Sequence, residues 1–158
     1  MEKYKKNIKL EYFYFFFRSF NLTLGIWIAF LGIIKGFGPI EIGVFESVFH
    51  FSSITMEIPT GMYGDIFGRK NSRVLSVLIY IIYILLMLFS NNFIVLSIAF
   101  FLCGLSYTFE SGSGEALIYD SLKKTNDEAS FKREAGNKEI IFQLSSGIAM
   151  IIAGAIAL

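Results

Sequence analysis

The chain has 158 residues, 54% of them hydrophobic, and a mean hydropathy of +0.60. This excludes an ordinary soluble domain, which is less apolar at this length. A net charge of +1 leaves no bulk basicity for nucleic acid, and one cysteine cannot form an internal disulfide.

The amino terminus, residues 1–9, carries Lys3, Lys5, Lys6 and Lys9 and precedes an apolar run over about 12–34. That run is too long for a signal-peptide core, and no small-x-small cleavage site closes it. It is expected to be a retained first membrane span, with Tyr and Phe clustered at 12–17 as in an aromatic belt. Further spans are expected at about 40–62, 72–90, 93–117 and 140–158, each long enough to cross about 30 Å of hydrocarbon as a helix. Residues 35–39 and 90–92 read as tight turns. The polar stretch 123–138 reads as a cytoplasmic loop or surface helix.

Twelve of the fourteen bases precede the first expected span, follow closely on the second, or lie between the fourth and fifth. Lys35 lies in an opposite-side loop and Arg18 within the first span. The asymmetry places the amino terminus in the cytoplasm.

Ionisable groups inside spans are costly and face a bundle interior or a water-filled cavity. Arg18 shares a helical face with Asn21, Gly25, Ala29 and Gly32. In the second span Glu46, His50, Ser53 and Glu57 follow steps of four, three and four, which puts them on one stripe. Such a stripe suits a cavity, a proton path or a satisfied network between helices. Glu46 and His50 are not a zinc site, because no further ligand stands at the needed spacing. In the fourth span Ser106, Glu110 and Ser113 share a face, Glu115 points elsewhere, and Asp120 lies near the cytoplasmic end, placed to pair with Arg69 or Arg73. No nucleophile with an oriented base is visible, so the chain is not expected to be an enzyme, and no cofactor or metal is implied.

Residues 61–73 read GMYGDIFGRKNSR. Gly61, Gly64 and Gly68 surround Asp65, and Arg69, Lys70 and Arg73 follow. Glycine lets a backbone leave a helix through left-handed geometry, the bases hold the loop at the cytoplasmic face, and the acid can sit at the positive end of a helix. Asn71 and Ser72 suit the N-cap of the following helix.

This stretch resembles the loop between the second and third spans of the major facilitator superfamily: Gly, three residues, Asp, two residues, Gly-Arg-Lys, then another base. Here these are Gly61, Asp65, Gly68, Arg69, Lys70 and Arg73. The preceding Glu57-Ile58-Pro59-Thr60 is similar to drug-efflux-like members, as is the run from Glu110 to Leu122. The fourth span lacks the Arg that many members place there for proton coupling, and no Gly-Pro motif follows Gly147 or Gly154 in the fifth.

The resemblance implies an all-α membrane protein: five transmembrane helices forming an incomplete amino-terminal six-helix half. Residues 1–158 would be one partial transmembrane domain. It implies transport of a small molecule by alternating access, as efflux of amphipathic compounds and as part of a longer transporter. The loop motif would act as a conformational switch, and Arg18, Glu46, His50, Glu57, Glu110 and Glu115 are the cavity, substrate or proton candidates. Implied partners are the small-molecule substrate, the bilayer, and a carboxy-terminal half or another copy of the chain. The alternative is a truncated or stand-alone five-span membrane protein with only an association role and no transport.

Overall fold

The computed structural model describes residues 2–124 and 128–157. Among them every regular element is helical: α1 (Glu2–Ser19), α2 (Pro39–Phe67), α3 (Arg69–Phe89), α4 (Phe93–Lys123) and α5 (Phe131–Ala157), with short helical turns between α1 and α2. The chain divides into two compact units, Met1–Phe30 with Glu115–Leu158, and Leu31–Gly114.

In the first unit α1 packs on α5. Met150 lies against Gly25, where an added Cβ would meet Met150 Cγ at 3.7 Å. Ser145 donates to the Phe16 carbonyl at 2.7 Å and Ser146 to the Ser19 carbonyl at 3.4 Å. These hydroxyls serve carbonyls at the end of α1, where the helix stops in the middle of the expected first span. Asn21 ends it. Its Oδ1 accepts from the Thr23 N–H at 2.9 Å and the Thr23 hydroxyl at 2.6 Å, capping a 3₁₀ turn over Leu22–Gly25. Asn competes with the helical ladder in this way by offering its side chain as a local acceptor. One α-helical turn, Trp27–Ala29, and a π-helical run, Phe30–Ile34, complete the segment. The continuous helix expected over 12–34 is therefore replaced by a broken one.

The second unit opens with a turn in which Gly36 takes φ +75° and the Phe37 N–H donates to the Leu31 carbonyl at 3.0 Å. Glu41 accepts from the Gly38 N–H at 2.8 Å, an acid reaching back over the start of α2. Lys35 Nζ donates to the Leu88 carbonyl at 2.9 Å and the Ser90 carbonyl at 2.6 Å, so a base serves the carbonyls that α3 leaves without helical donors. Asn92 then caps α4, its Oδ1 accepting from the N–H groups of Ile94 and Val95 at 2.9 and 3.2 Å.

Helices in lipid gain little from burying apolar surface against each other, so close backbone approach and interhelical hydrogen bonds hold them instead. Ser76 and Ser106 exchange hydroxyl-to-carbonyl bonds at 2.8 and 2.9 Å across α3 and α4. Ser72 donates to the Phe109 carbonyl at 3.0 Å. Ser52 joins α2 to the Phe101 carbonyl of α4 at 2.7 Å. Gly104 is what lets α2 and α4 meet: a Cβ there would lie 2.5 Å from the Phe49 carbonyl oxygen. At the other end of the same contact, buried Phe45 stacks on Phe100 with centroids 5.3 Å apart.

Among the described residues three helices are long and apolar enough to cross a membrane: Arg69–Phe89, Phe93–Lys123 and Phe131–Ala155. They cover the expected span 72–90 but for its last residue, all of 93–117, and most of the fifth, at 140–158. Helix α2 has 29 residues, a length of about 43 Å at 1.5 Å per residue. Its in-helix acids and His50 dilute its apolar character. Boundaries also move. Helix α2 runs on to Phe67, α4 runs on to Lys123, and α5 starts at Phe131, inside the stretch 123–138 expected as a loop or surface helix.

Candidate functional site

The 61–73 stretch is a corner between two helices rather than a loop. Gly61, Gly64 and Asp65 are still in α2, Gly68 alone breaks the helix with φ +91° and ψ 145°, and α3 starts at Arg69. The left-handed φ explains Gly68. Gly64 answers a different need, because a Cβ there would lie 2.9 Å from Arg69 Nη1. Its missing side chain admits the guanidinium that folds back to pair with Asp65 one turn away. Asn71 and Ser72, expected at an N-cap, are inside α3. Asn71 reaches back to the Phe67 carbonyl at 2.9 Å, and Ser72 reaches α4. Asp65 and Lys70 are exposed.

Arg73 turns the other way. Its Nε lies 3.5 Å from Glu110 Oε1, and both side chains are only about a tenth exposed (11% and 10%). Glu110 was expected on a cavity face with Ser106 and Ser113. It is instead buried against a base of the corner, Ser106 is bonded to Ser76, and Ser113 donates to the Phe109 carbonyl at 2.9 Å. Arg69 and Arg73 thus pair with Asp65 and Glu110, and Asp120 is exposed. The Glu115 side chain lies outside the described residues.

The stripe on α2 is present. Glu46 and His50 stand 3.3 Å apart, and Glu57 is exposed further along. The side of α2 that packs is marked by buried Phe45, Ser52, Thr60 and Gly64, so the stripe lies off it. The Phe49 ring meets His50 edge-on at 5.1 Å and Tyr107 of α4 at 6.2 Å. Arg18 occupies the last turn of α1, next to the break at Asn21. Among the described residues no group of three His, Cys, Asp or Glu could hold a metal ion.

Sequence reasoning missed a second polar cluster. Tyr12 of α1 donates to the Glu134 carboxylate of α5, and Asn137 donates to the Tyr12 oxygen at 3.3 Å. Arg133 adds a bond to the same carboxylate at 3.0 Å. Glu134 and Asn137 stand three apart at the start of α5, a helical spacing that could have marked them. The ring contact between Phe49 and Tyr107 had no counterpart in the sequence pattern.

A family model described as Major Facilitator Superfamily matches residues 12–158. No curated protein matches the chain, and no solved structure does.

Proposed function

Because the chain belongs to the major facilitator superfamily, a family of membrane transporters, we propose that it is the amino-terminal part of a transporter that exports amphipathic small molecules by alternating access. In that reading, residues 12–34 and 40–62 join the three apolar helices as membrane spans, the amino terminus is cytoplasmic, and residues 1–158 form one partial transmembrane domain. The observation that carries the reading is the corner at Gly68. It joins two long helices through one residue, with an exposed Asp65–Arg69 pair on the outside and the Arg73–Glu110 pair inside. A junction of this kind transmits helix motion, and its exposed acid is available to a second set of helices. The exposed stripe of Glu46, His50 and Glu57 then faces the cavity, because an acid in contact with hydrocarbon is costly.

Efflux of an amphipathic dye from cells expressing the complete reading frame tests this. Asp65→Asn should cut efflux at least tenfold while membrane insertion is unchanged. Efflux unaffected by both Asp65→Asn and Glu57→Gln would sink the proposal. Insertion with no flux at all would favour an association role. The open positions of Gly147 and Gly154, where an added Cβ meets nothing within 4 Å, would serve that role.

Topology is checked separately in a Cys103→Ala background. A cysteine at Asn91 should react with an impermeant reagent from outside, and one at Lys124 should not. The reverse labelling would overturn the orientation.

A further inference from the structure

The α1 and α5 segments run side by side in one direction. Tyr12 meets Glu134, Phe16 meets Ser145, Ser19 meets Ser146 and Gly25 meets Met150, so the contacts climb both segments together. At about 100° per residue, Tyr12, Phe16 and Ser19 face α5, and Lys9, Phe13 and Phe17 lie about a third of a turn round α1 from them. On α5, Glu134, Lys138 and Ser145 face α1, and Arg133, Ile140 and Leu144 lie about a third of a turn round the other way. Opposite turns on parallel helices bring both stripes to one flank, and all six of its residues are exposed.

The flank changes chemistry with depth. Lys9 lies three positions before Tyr12, and Arg133 adjoins the Tyr12 partner Glu134, so the two bases stand at nearly one level. Below them the stripes are apolar. Leu144 is 11 positions past Arg133, about 16 Å, close to half the thickness of a hydrocarbon core of about 30 Å. The acid beside the bases is turned inward. The Glu134 side chain is 13% exposed and takes bonds from Tyr12, Asn137 and Arg133, whereas the Arg133 side chain is 69% exposed. The Arg133 bonds to Glu134 use Nε and Nη2 and not Nη1. Lys132 and Glu139, both exposed, turn to the opposite flank.

We propose that this flank binds a phospholipid with an anionic headgroup, its phosphate held by Lys9 and Arg133 and its acyl chains laid along Phe13, Phe17, Ile140 and Leu144. The proposal rests on residues 12–34 and α5 crossing the bilayer from the cytoplasmic side, and it goes beyond export, on which it does not depend. A guanidinium presents paired N–H donors to phosphate oxygens, and a lysine adds a point charge. Bases beside the cytoplasmic end of a span are drawn to an anionic leaflet. Base above and hydrocarbon below is the order of groups in a phospholipid, whereas another apolar helix would leave both bases unanswered.

The test is native mass spectrometry of the purified chain released from nanodiscs of equal phosphatidylglycerol and phosphatidylcholine with matched acyl chains. Retained lipid should be enriched in phosphatidylglycerol about tenfold over the bulk. Arg133→Gln and Lys9→Gln should each lower the enrichment about fivefold, the scale for one base near an anionic surface. Lys132→Gln, one position from Arg133 but on the other flank, should change it less than about twofold. Variants are compared at wild-type helicity and elution volume. Equal retention of both lipids by the wild type overturns the proposal. So does an equal loss in Lys132→Gln and Arg133→Gln, which would reduce the effect to diffuse charge. Displacement of the lipid by millimolar glycerol phosphate would make the site one for a soluble anion and overturn it as well. Enrichment in a chain that moves no dye supports the site without export, and dye efflux without enrichment removes only the lipid site.

Discussion

Replacement of Gly104 by valine should abolish recovery of monodisperse protein, and Gly104→Ala should lower its thermal midpoint by several degrees. The first atom beyond the Cα already meets the Phe49 carbonyl oxygen at 2.5 Å and Ser52 Cβ at 2.8 Å. Neither is the mobile end of a long side chain, so relief requires α2 and α4 to separate. Overpacking of a tight contact costs about 1–3 kcal/mol. Separation would also lengthen the Ser52 bond to the Phe101 carbonyl, now 2.7 Å, and loosen Phe45 from Phe100. Size-exclusion chromatography and thermal scanning in detergent check both variants. Gly147→Ala is the control, since nothing lies within 4 Å of its added Cβ. A Gly104→Val protein with an unchanged midpoint would show that α2 and α4 do not meet there.

Glu110→Gln and Arg73→Gln should each destabilise the protein by about 3–5 kcal/mol, the range for breaking a buried ion pair by removing one partner. Each variant leaves a charge in a site where both side chains are nearly covered. The double variant Arg73→Met/Glu110→Leu should recover most of the loss, because it buries no unpaired charge and keeps similar volume. Denaturation midpoints of the four proteins form a double-mutant cycle. Additive losses would show that the two side chains do not interact. The same cycle on Asp65 and Arg69 should give at most about 1 kcal/mol, since Asp65 is 65% exposed and water screens the pair.

The apolar lengths that make α3, α4 and α5 were legible because each holds a long apolar stretch free of Pro: residues 74–89, 93–109 and 144–157. The break at Asn21 was not. A single Asn in an apolar run of 23 residues leaves the pattern of a span intact, and its capping of Thr23 becomes favourable only with Ser145 and Ser146, over 120 positions away, serving carbonyls at the end of α1. The acid and bases of the corner stand out in the sequence as a set, but three glycines argued for a loop. Only one of them has a left-handed φ, and Gly64 is there for space. Spacing placed Glu110 with Ser106 and Ser113, as the helix does. It could not say that Arg73, 37 positions earlier, would cover that face. On α2, spacing found the polar stripe, while Tyr107 stayed hidden because its meeting with Phe49 depends on the approach at Gly104.

The joint at Gly68 has no slack. Successive Cα atoms are about 3.8 Å apart, so the last residue of α2 and the first of α3 are tied to one depth. A linker of several residues would absorb tilt or piston motion of one helix before the next felt it. Here such motion must instead turn the dihedrals of one glycine or move both helices as a lever. The lever's short arm carries Asp65 and Arg69 in the open, and its fulcrum is tied by Arg73 to Glu110. Between the exposed pair and α4 there stands no flexible element other than Gly68.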